Sequence, residues 1–412
     1  MQFFNSQTLA LSSLLFLVAN AAPSPTLKQR NPDTISLAKR ASCTPTAGGA
    51  SSVDDVPAIE SAIASCGSGG TIVIPAGKDY YLNSVLDFSG CKSCTFNIEG
   101  TLTASNNLTY WATQTAIIYM KDIAGATIQS LTGSGVIDGN GQAAWESFAQ
   151  DSSLKRPTLH YIDGGSNIVI QNLAAKNPPN VFFSVKGDAT NVQYASLTMT
   201  AKSDSTTAPK NTDGFDIGAS TYTTLTNITV SNQDDCVAFK PGANYVTVDT
   251  ITCTGSHGLS VGSLGSTNTD TVQNVYVTGA TMINSAKAVG IKLYPGGSSH
   301  GQGVVSNVTY DGVTVTNCDY AAQIQTCYGE DSTYCTTYPS TGTIAGVVLK
   351  NFKGTTSTKY APATANLDCS SAGTCGVTIS NWSVKAGSGT AEVLCANTPS
   401  TLGVTCTDGA SG

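Results

Sequence analysis

Short strand-like runs recur along this chain at a nearly constant interval, and this recurrence restricts the possible folds more than any other feature. Each run alternates apolar and polar residues, with Gly, Asn or Asp nearby to turn the chain. From position 167 onward the runs start roughly 22 to 33 residues apart, at Asn167, Asn191, Tyr222, Asn244, Val272 and Val305. Such an interval corresponds to one coil of a parallel β-helix. The sequence therefore predicts an all-β solenoid.

The length of the chain agrees with a solenoid made of one domain. Residues 41–412 exceed the usual size of a single domain, yet no linker rich in Pro, Gly or Ser and no run of charge divides them. A solenoid accounts for this, because it grows by adding coils and not by thickening one core. The 41 glycines and the 11% of charged residues suit many short strands joined by tight turns. We therefore expect residues 41–412 to form one parallel β-helix domain.

Residues 54–66 carry the clearest helical pattern. Asp54 or Asp55 can cap the first turn, and Pro57 suits that turn. The apolar residues that recur on one face are Val56, Ile59 and Ile63. Because the terminal coils of a solenoid expose core edges that must be covered, we expect this short helix to cap the N-terminal end.

Residues 1–21 have the features of a secretory signal peptide. An apolar run from Leu9 to Val18 precedes the small residues Ala-Asn-Ala, which end at position 21. The run is too short to span a membrane. Residues 22–40 are basic and end in a Lys-Arg pair, as expected of a removable pro-segment, although they could also remain attached. We expect a secreted, extracellular protein.

The charge balance argues against nucleic acid as a partner. The net charge is −7 and the isoelectric point is near 4.9, so the surface does not attract phosphates. We also expect no membrane partner and a monomeric protein. The three histidines are scattered and no Cys/His spacing resembles a zinc site, so neither a metal nor a cofactor is predicted.

The 13 cysteines suit a secreted chain with six disulfides and one remaining thiol. Short spacings favour three pairs, namely Cys91 with Cys94, Cys369 with Cys375 and Cys395 with Cys406. Cys236 with Cys253 would join two successive coils, although Cys253 could instead be a buried thiol. Four sequons for N-glycosylation begin at Asn107, Asn227, Asn307 and Asn381.

Three short clusters between positions 211 and 258 carry acidic and basic residues where a purely structural strand would carry blander ones. Asp213 and Asp234 are 21 positions apart, and Asp235 and His257 are 22 apart, so each interval is close to one coil. Stacked coils are about 4.8 Å apart, which would bring three carboxylates and an imidazole into one patch. Like charges at such distances raise the pKa of at least one carboxyl group. A protonated carboxyl group beside ionised ones is what acid/base hydrolysis requires.

Adjacent Asp234 and Asp235 impose a structural demand. In an ideal strand they would point to opposite faces, and one would be desolvated. Both can serve one cleft only at a bend or at the end of a strand.

The motifs NTDGFD, QDDC, SHG and GIK, in this order and spacing, resemble the signature of family 28 of the glycoside hydrolases, the polygalacturonase family. The resemblance covers essentially all of residues 41–412 and implies a right-handed parallel β-helix of the pectinase type. It implies that Asp234 protonates the leaving glycosidic oxygen and that Asp213 and Asp235 hold and activate the attacking water. The expected outcome is inversion at the anomeric carbon. His257 would tune the protonation of the carboxyl groups.

The same resemblance implies binding roles for residues near these motifs. Lys292 would meet a substrate carboxylate as a point charge, although it could be an ordinary solvated lysine. Tyr328 matches an aromatic residue of the sugar-binding cleft, with a structural role as the alternative. Asn211 belongs to the first motif, and Asn180 follows Pro178-Pro179, where family members place an Asn on the cleft floor.

Gly290 departs from the family pattern. Members that hydrolyse the unbranched pectin backbone usually have Arg at this position, and Ser256 likewise replaces a Gly before His257. Arg offers a bidentate fork to a carboxylate, whereas Gly leaves space that could admit a branch on the sugar. The resemblance is greatest to members that cleave galacturonan carrying xylose side chains. An endo- or exo-polygalacturonase and a non-catalytic carbohydrate-binding solenoid remain as alternatives.

Overall fold

The protein is a parallel β-helix in which two long sheets run along one solenoid. The structure is a computed structural model, and it describes residues 40–412. The predicted signal segment 1–21 and all but the last residue of the predicted pro-segment 22–40 lie outside the described residues. Within residues 40–412 every paired strand is parallel to its partner, and the coils wind right-handed, which confirms the predicted fold class.

The described residues contain 29 strands and four helices. The strands are β1 (Ser42–Cys43), β2 (Thr71–Ile74), β3 (Asp79–Leu82), β4 (Leu86–Asp87), β5 (Thr95–Ile98), β6 (Thr101–Ala104), β7 (Ala116–Lys121), β8 (Thr127–Gln129), β9 (Val136–Asp138), β10 (Thr158–Asp163), β11 (Ser166–Gln171), β12 (Ala174–Lys176), β13 (Phe183–Lys186), β14 (Ala189–Ala195), β15 (Thr198–Thr200), β16 (Phe215–Ile217), β17 (Ser220–Ser231), β18 (Asp235–Phe239), β19 (Ala243–Thr254), β20 (Gly258–Leu264), β21 (Thr269–Ile283), β22 (Lys287–Leu293), β23 (Gln302–Cys318), β24 (Tyr320–Gln325), β25 (Thr343–Thr356), β26 (Ala363–Asp368), β27 (Thr374–Lys385), β28 (Glu392–Ala396) and β29 (Thr407–Asp408). The helices are α1 (Val56–Cys66), α2 (Leu108–Trp111), α3 (Gln142–Gln150) and α4 (Ser332–Thr337).

Two sheets divide these strands, and each coil contributes to both. The first sheet has 17 strands and includes β11, β14, β17, β19, β21, β23, β25 and β27. The second sheet has 12 strands and includes β13, β16, β18, β20, β22, β24 and β26. All of the runs from Asn167 onward that the sequence indicated as strands belong to the first sheet.

The core is built from columns of like residues stacked coil on coil. One column pairs, in register, Ile168, Val192, Thr223, Val246, Val275, Val308, Val347 and Val377. Each of these residues is at most 2% exposed. Because β-branched side chains fit a pleated surface and pack well against copies of themselves, the column explains the recurrence of Val and Thr in the sequence.

A left-handed residue lies within the strand directly before each of the first six members of this column and bends the chain there. Asn occupies four of the six positions, since its short side chain tolerates positive φ, and Tyr222 and Tyr245 occupy the other two. The Asn side chains also form ladders, as where Asn307 Nδ2 donates to Asn274 Oδ1 at 2.7 Å. This conformational demand accounts for Asn at the start of successive coils.

Helix α1 covers the first coils, as predicted. Its buried face consists of Val56, Ile59, Ala62, Ile63 and Cys66, which belong to the same apolar cluster as β2 and β5. Asp55 occupies the N-cap position, but its carboxylate accepts the backbone N–H groups of Gly48 and Tyr81 and makes no cap bond. Asp54 Oδ1 instead accepts the N–H of Val56 at 3.2 Å.

Six disulfides lie within the described residues, and they include all four pairs that the sequence suggested. The other two are Cys43–Cys66 and Cys327–Cys335, and Cys318 is a buried free thiol. Cys253 is therefore not the unpaired cysteine. Within residues 40–412 no helix is long and apolar enough to cross a membrane.

Candidate active site

The three acidic and basic motifs meet where successive strands of the second sheet begin. Asp213 lies two residues before β16, Asp235 is the first residue of β18, and Gly258, after His257, begins β20. Phe215 pairs with Val237, and the Gly214 N–H donates to the Asp235 carbonyl at 2.9 Å. Asp213 and Asp235 therefore occupy equivalent positions in neighbouring coils.

The predicted register was wrong by one residue. The spacing favoured Asp213 with Asp234 and Asp235 with His257, whereas the structure aligns Asp213 with Asp235 and Asp234 with His257, whose N–H donates to the Asp234 carbonyl at 2.7 Å. The regular β16–β18 register places Asp235 beside Asp213, and a bulge between Asp235 and Val237 in the β18–β20 pairing places His257 beside Asp234. All four side chains still share one patch.

Asp234 and Asp235 meet the demand that their adjacency imposes. Asp234 lies in a bend immediately before β18, and its Oδ1 accepts the backbone N–H of Asp235 at 2.8 Å. One oxygen of each carboxylate and one ring nitrogen of His257 lie within 4.8 Å of one another. Both carboxylates therefore reach the same site, as predicted for a strand end.

Asp235 is the most deeply buried of the three carboxylates and forms an ion pair. Its side chain is 1% exposed, and Lys292 Nζ donates to Oδ2 at 2.6 Å. The hydroxyl of Ser260 donates to Oδ1 at 2.8 Å. Because a charge without partners is costly to bury, Lys292 and Ser260 fix both the charge and the orientation of Asp235.

Asp234 is the carboxylate most open to solvent, at 18% side-chain exposure against 8% for Asp213. His257 Nδ1 lies 3.2 Å from its Oδ1, and Asn211 Nδ2 donates to its Oδ2 at 3.4 Å. Partial burial opposes ionisation. The hydrogen bond and charge of His257, the Asp235 N–H and the charge of Lys292 outweigh that effect and lower the pKa of Asp234.

Asp213 has the opposite electrostatic environment. Burial, together with the negative charges of Asp216 and Asp234, raises its pKa well above the ordinary value. Lys240 opposes this shift, with its Nζ 3.8 Å from Asp213 Oδ2 and 3.4 Å from Asp216 Oδ1. In the ligand-free site a proton is therefore held more readily by Asp213 than by Asp234.

Three of the predicted binding residues border this patch, namely Lys292, Tyr328 and Asn211. Lys292 Nζ is 5.5 Å from the centre of the Tyr328 ring, so the two residues are neighbours. Asn211 connects Asp234 to Arg156, whose Nη2 donates to Asn211 Oδ1 at 2.7 Å. Asn180 is half-buried between β12 and β13, and its side chain makes no hydrogen bond within residues 40–412.

Four functional candidates escaped the sequence reasoning. Arg156 holds the carbonyls of Pro179 and Lys210 with its Nη1. It is the single arginine of residues 41–412, which was a usable signal. Asp216 ends the motif NTDGFD and so was also within reach of the sequence. Ser260 and Lys240 gave no comparable signal, because their roles depend on which strand lies beside which.

Gly290 does not leave open space, and this corrects the prediction. A Cβ built on Gly290 would lie 2.5 Å from Cε and 2.7 Å from Cδ of Lys287. The volume that an arginine would enter is thus occupied by the aliphatic stem of a lysine three positions earlier in the same strand. The isolated charge of Lys287 in the apolar run KAVGIKLY was the available signal.

Comparison with known proteins agrees with this architecture. The model of the family described as glycosyl hydrolases family 28 matches residues 66–406. Endo-xylogalacturonan hydrolase A of Aspergillus tubingensis is 60% identical over 407 residues, which cover 98% of this chain and 100% of that protein. Probable endo-xylogalacturonan hydrolase A of Aspergillus flavus is 60% identical over 97% of this chain and 98% of that protein.

Solved structures give the same result for the fold. The crystal structure of the A. tubingensis endo-xylogalacturonan hydrolase has a TM-score of 0.90 and 63% identity, and the match covers 90% of this chain and 100% of that one. A polygalacturonase from Erwinia carotovora shares the fold at 20% identity and a TM-score of 0.66, over 86% of this chain and 97% of that one. The chain therefore belongs to family 28 of the glycosyl hydrolases and is a glycoside hydrolase with a parallel β-helix fold.

Proposed function

We propose that this protein is an endo-xylogalacturonan hydrolase, which cleaves α-1,4 galacturonosyl linkages in galacturonan that carries xylose. The observation that supports the hydrolytic chemistry is the meeting of Asp213, Asp234 and Asp235 at the start of two neighbouring strands. The substrate follows from full-length similarity to the Aspergillus endo-xylogalacturonan hydrolases. The enzyme is secreted and acts as a monomer on pectic polysaccharide.

Asp234 is the general acid in this proposal, because it is the carboxyl group best placed to contact substrate. Its side chain is the most exposed of the three, and a general acid must come within hydrogen-bond distance of the leaving oxygen. His257 and Asn211 each bond one of its oxygens and so fix its orientation.

Asp213 and Asp235 hold and activate the attacking water. They occupy equivalent positions in adjacent coils, so a water between them can contact both. Lys292 compensates the charge of Asp235, while Asp213 can accept the proton that the water loses. Inversion of the anomeric configuration is expected from membership of family 28 and not from the separation of the carboxylates, since oxygens of Asp234 and Asp235 lie within 4.8 Å of each other, closer than the roughly 6.5–9.5 Å usual for inverting enzymes.

The proton must reach Asp234 before it can act. In the ligand-free site the pKa of Asp213 is raised and that of Asp234 is lowered, so substrate must change this order. A bound galacturonan chain covers Asp234 from water and places its own carboxylates nearby. Both effects raise the pKa of a carboxyl group. Substrate binding therefore leads to protonation of the general acid Asp234.

The test is reducing-end release with product sizing. The substrates are xylose-substituted galacturonan and the same polymer after acid removal of xylose. We expect faster release of mixed-length oligomers from the substituted polymer. Faster release from the stripped polymer would make the protein a polygalacturonase, and no release from either would favour a binding protein.

Asp234→Asn gives the matched control. This variant should bind substrate but lose at least roughly 100-fold in kcat, since general acid catalysis contributes about that much. A variant that retains more than about a tenth of the turnover would exclude Asp234 as the acid. Polarimetry of the first products would distinguish inversion from retention.

A further inference from the structure

We propose that Lys287 is a carboxylate-binding residue of the cleft, which places a cation over Gly290 for a uronic acid unit of the substrate. Neither the sequence motifs nor the predicted roles include this lysine. The inference rests on the proposed polyuronide substrate and adds a residue that selects for its charge.

The stem of Lys287 lies on the side of the sheet that bears the catalytic carboxylates. Its Cγ lies 3.1 Å from the point where a Cβ of Gly258 would be, and its Cε lies 2.5 Å from the corresponding point at Gly290. Gly290 pairs with Ser260, whose hydroxyl bonds Asp235. The side chain thus extends from the start of β22 across the row that flanks Asp235 and Lys292.

Two glycines make this path possible. Any side chain at position 258 or 290 would meet the Lys287 stem or its backbone, since both built Cβ positions lie within about 3.1 Å of Lys287 atoms. Gly258 also has φ near +112°, a conformation that glycine adopts without strain. Gly290 therefore provides space for a lysine of the same strand.

The ammonium group of Lys287 has no partner within residues 40–412. The residue is 6% exposed, yet it makes no hydrogen bond and no ion pair in that range. The carboxylates nearby are already engaged, Asp235 by Lys292 and Asp234 by His257 and Asn211. Lys240 is 3.8 Å from Asp213 and so compensates the third. Lys287 is thus the surplus cation of the site.

The Nζ of Lys287 is not among the fully buried polar atoms that lack a partner, so it keeps contact with solvent, from which a substrate carboxylate can reach it. Burial, with a contribution from the charge of Lys292, lowers the pKa of Lys287 to about 8, while Asp235 and Asp234 oppose that shift. The group is therefore charged at acidic and neutral pH. A polyuronide offers a carboxylate on each backbone sugar, and a hydrogen bond between two charged groups is about twice as strong as a neutral one.

The position also explains the absence of the arginine fork. Lys292 is committed to Asp235 at 2.6 Å, so it is only partly available to substrate. Lys287 replaces the missing guanidinium with a point charge on a flexible stem, which accepts carboxylates in several orientations. Such tolerance suits a backbone whose sugars are irregularly branched.

The experiment measures binding in the inactive Asp234→Asn background, so that it does not depend on turnover. Lys287→Met keeps the aliphatic stem and removes the charge. Titration calorimetry compares a xylose-substituted galacturonate oligomer with the same oligomer after methyl esterification. We expect Lys287→Met to weaken binding of the free-acid oligomer roughly 10- to 100-fold and to change binding of the esterified oligomer by no more than about twofold. Lys353→Met, an exposed lysine on β25 of the other sheet, is the control and should change neither.

Gly290→Ala gives an independent variant that keeps the charge. Its methyl group displaces the Lys287 stem, so this variant should also weaken binding of the free-acid oligomer more than binding of the ester. Added to Lys287→Met, it should have little further effect, because both changes act on one side chain. Equal weakening of acid and ester, or no weakening of either, would overturn the proposal. If Lys287→Met does not fold, Gly290→Ala alone decides by the same comparison.

The two proposals can fail separately. If the unmodified enzyme releases no reducing ends, the proposed function is wrong whatever Lys287 binds. If it hydrolyses the polymer but Lys287→Met binds the free acid normally, only the inference about Lys287 is wrong.

Discussion

Breaking the Asp235–Lys292 pair should destabilise the protein far more than removing it completely. Asp235 is 1% exposed and Lys292 is 8% exposed, and 2.6 Å separates their charged atoms. Lys292→Met leaves a buried carboxylate with only Ser260 as a side-chain donor, and Asp235→Asn leaves a buried ammonium. Loss of one partner of a buried pair costs about 3–5 kcal/mol. The double variant has neither charge and should lie within about 1 kcal/mol of the parent.

Thermal and urea unfolding at neutral pH measure this cycle. A domain of about 370 residues has an unfolding entropy near 0.8 kcal/mol/K, so each single variant should lower Tm by roughly 4–6 °C. The double variant should recover most of that loss, which gives a coupling free energy of several kcal/mol. All three variants should be inactive, so stability and not turnover is the informative measurement. Additive losses in the double variant would refute the claim that the two charges compensate each other.

Three further predictions follow from the same site. Asp213→Asn should abolish turnover. It should also stabilise the protein increasingly as pH rises above about 4, because ionisation of a carboxyl group whose pKa is raised in the folded state lowers the free energy of unfolding between its unfolded and folded pKa. A constant Tm difference between the variant and the parent from about pH 4 to pH 7 would contradict this prediction. Gly290→Arg should lose activity on the branched polymer, and a gain on unbranched galacturonan should require Lys287→Ala as well, since the Arg stem needs the space of Lys287; reducing-sugar assays on both polymers decide. The alkaline limb of kcat should lie at higher pH than that of kcat/KM, because substrate raises the lowered pKa of Asp234; coincident limbs would contradict the proposed proton movement.

The first sheet could be predicted from the sequence, because its strands expose one face. Strand β17, for example, alternates buried and more exposed residues, and the left-handed Tyr222 lies at its third position. The second sheet could not be predicted in the same way. All five residues of β18 and all seven of β22 are buried, so the period of two disappears. Side chains of the site and of neighbouring loops cover the outer face of these strands.

The site was predictable as a set of residues but not as a set of contacts. Motif order identified Asp213, Asp234, Asp235 and His257, and the structure brings them together. Their pairing depended on one residue of coil length: the regular β16–β18 register pairs Asp213 with Asp235, and the bulge beside Asp235 in the β18–β20 pairing pairs Asp234 with His257. One residue of register reverses which face a side chain occupies, so spacing alone cannot decide it.

The effect of Gly290 on the shape of the site could be judged only from the side chains around it. At position 290 the sequence indicated a missing arginine, and physical reasoning inferred an empty volume. The structure shows that the stem of Lys287 occupies that volume. Under the proposal for Lys287, the substitution exchanges a fork for a point charge and does not remove the charge. Absence of a side chain predicts space only when the surrounding side chains are known.

The charges of the ligand-free site suggest why binding and catalysis are coupled. Burial and the charges of neighbouring acids raise the pKa of Asp213, whereas the contacts of Asp234 with His257 outweigh its partial burial and lower its pKa. A site with its acid already protonated would need less rearrangement, but protonation of the acid would then not depend on the charge of the substrate. In this proposal the substrate's own carboxylates and its exclusion of water raise the pKa of Asp234. Only a charged chain that fills the cleft therefore causes Asp234 to be protonated. Under the proposed function, the negative charge that Lys287 would bind thus also favours protonation of Asp234, the proposed general acid.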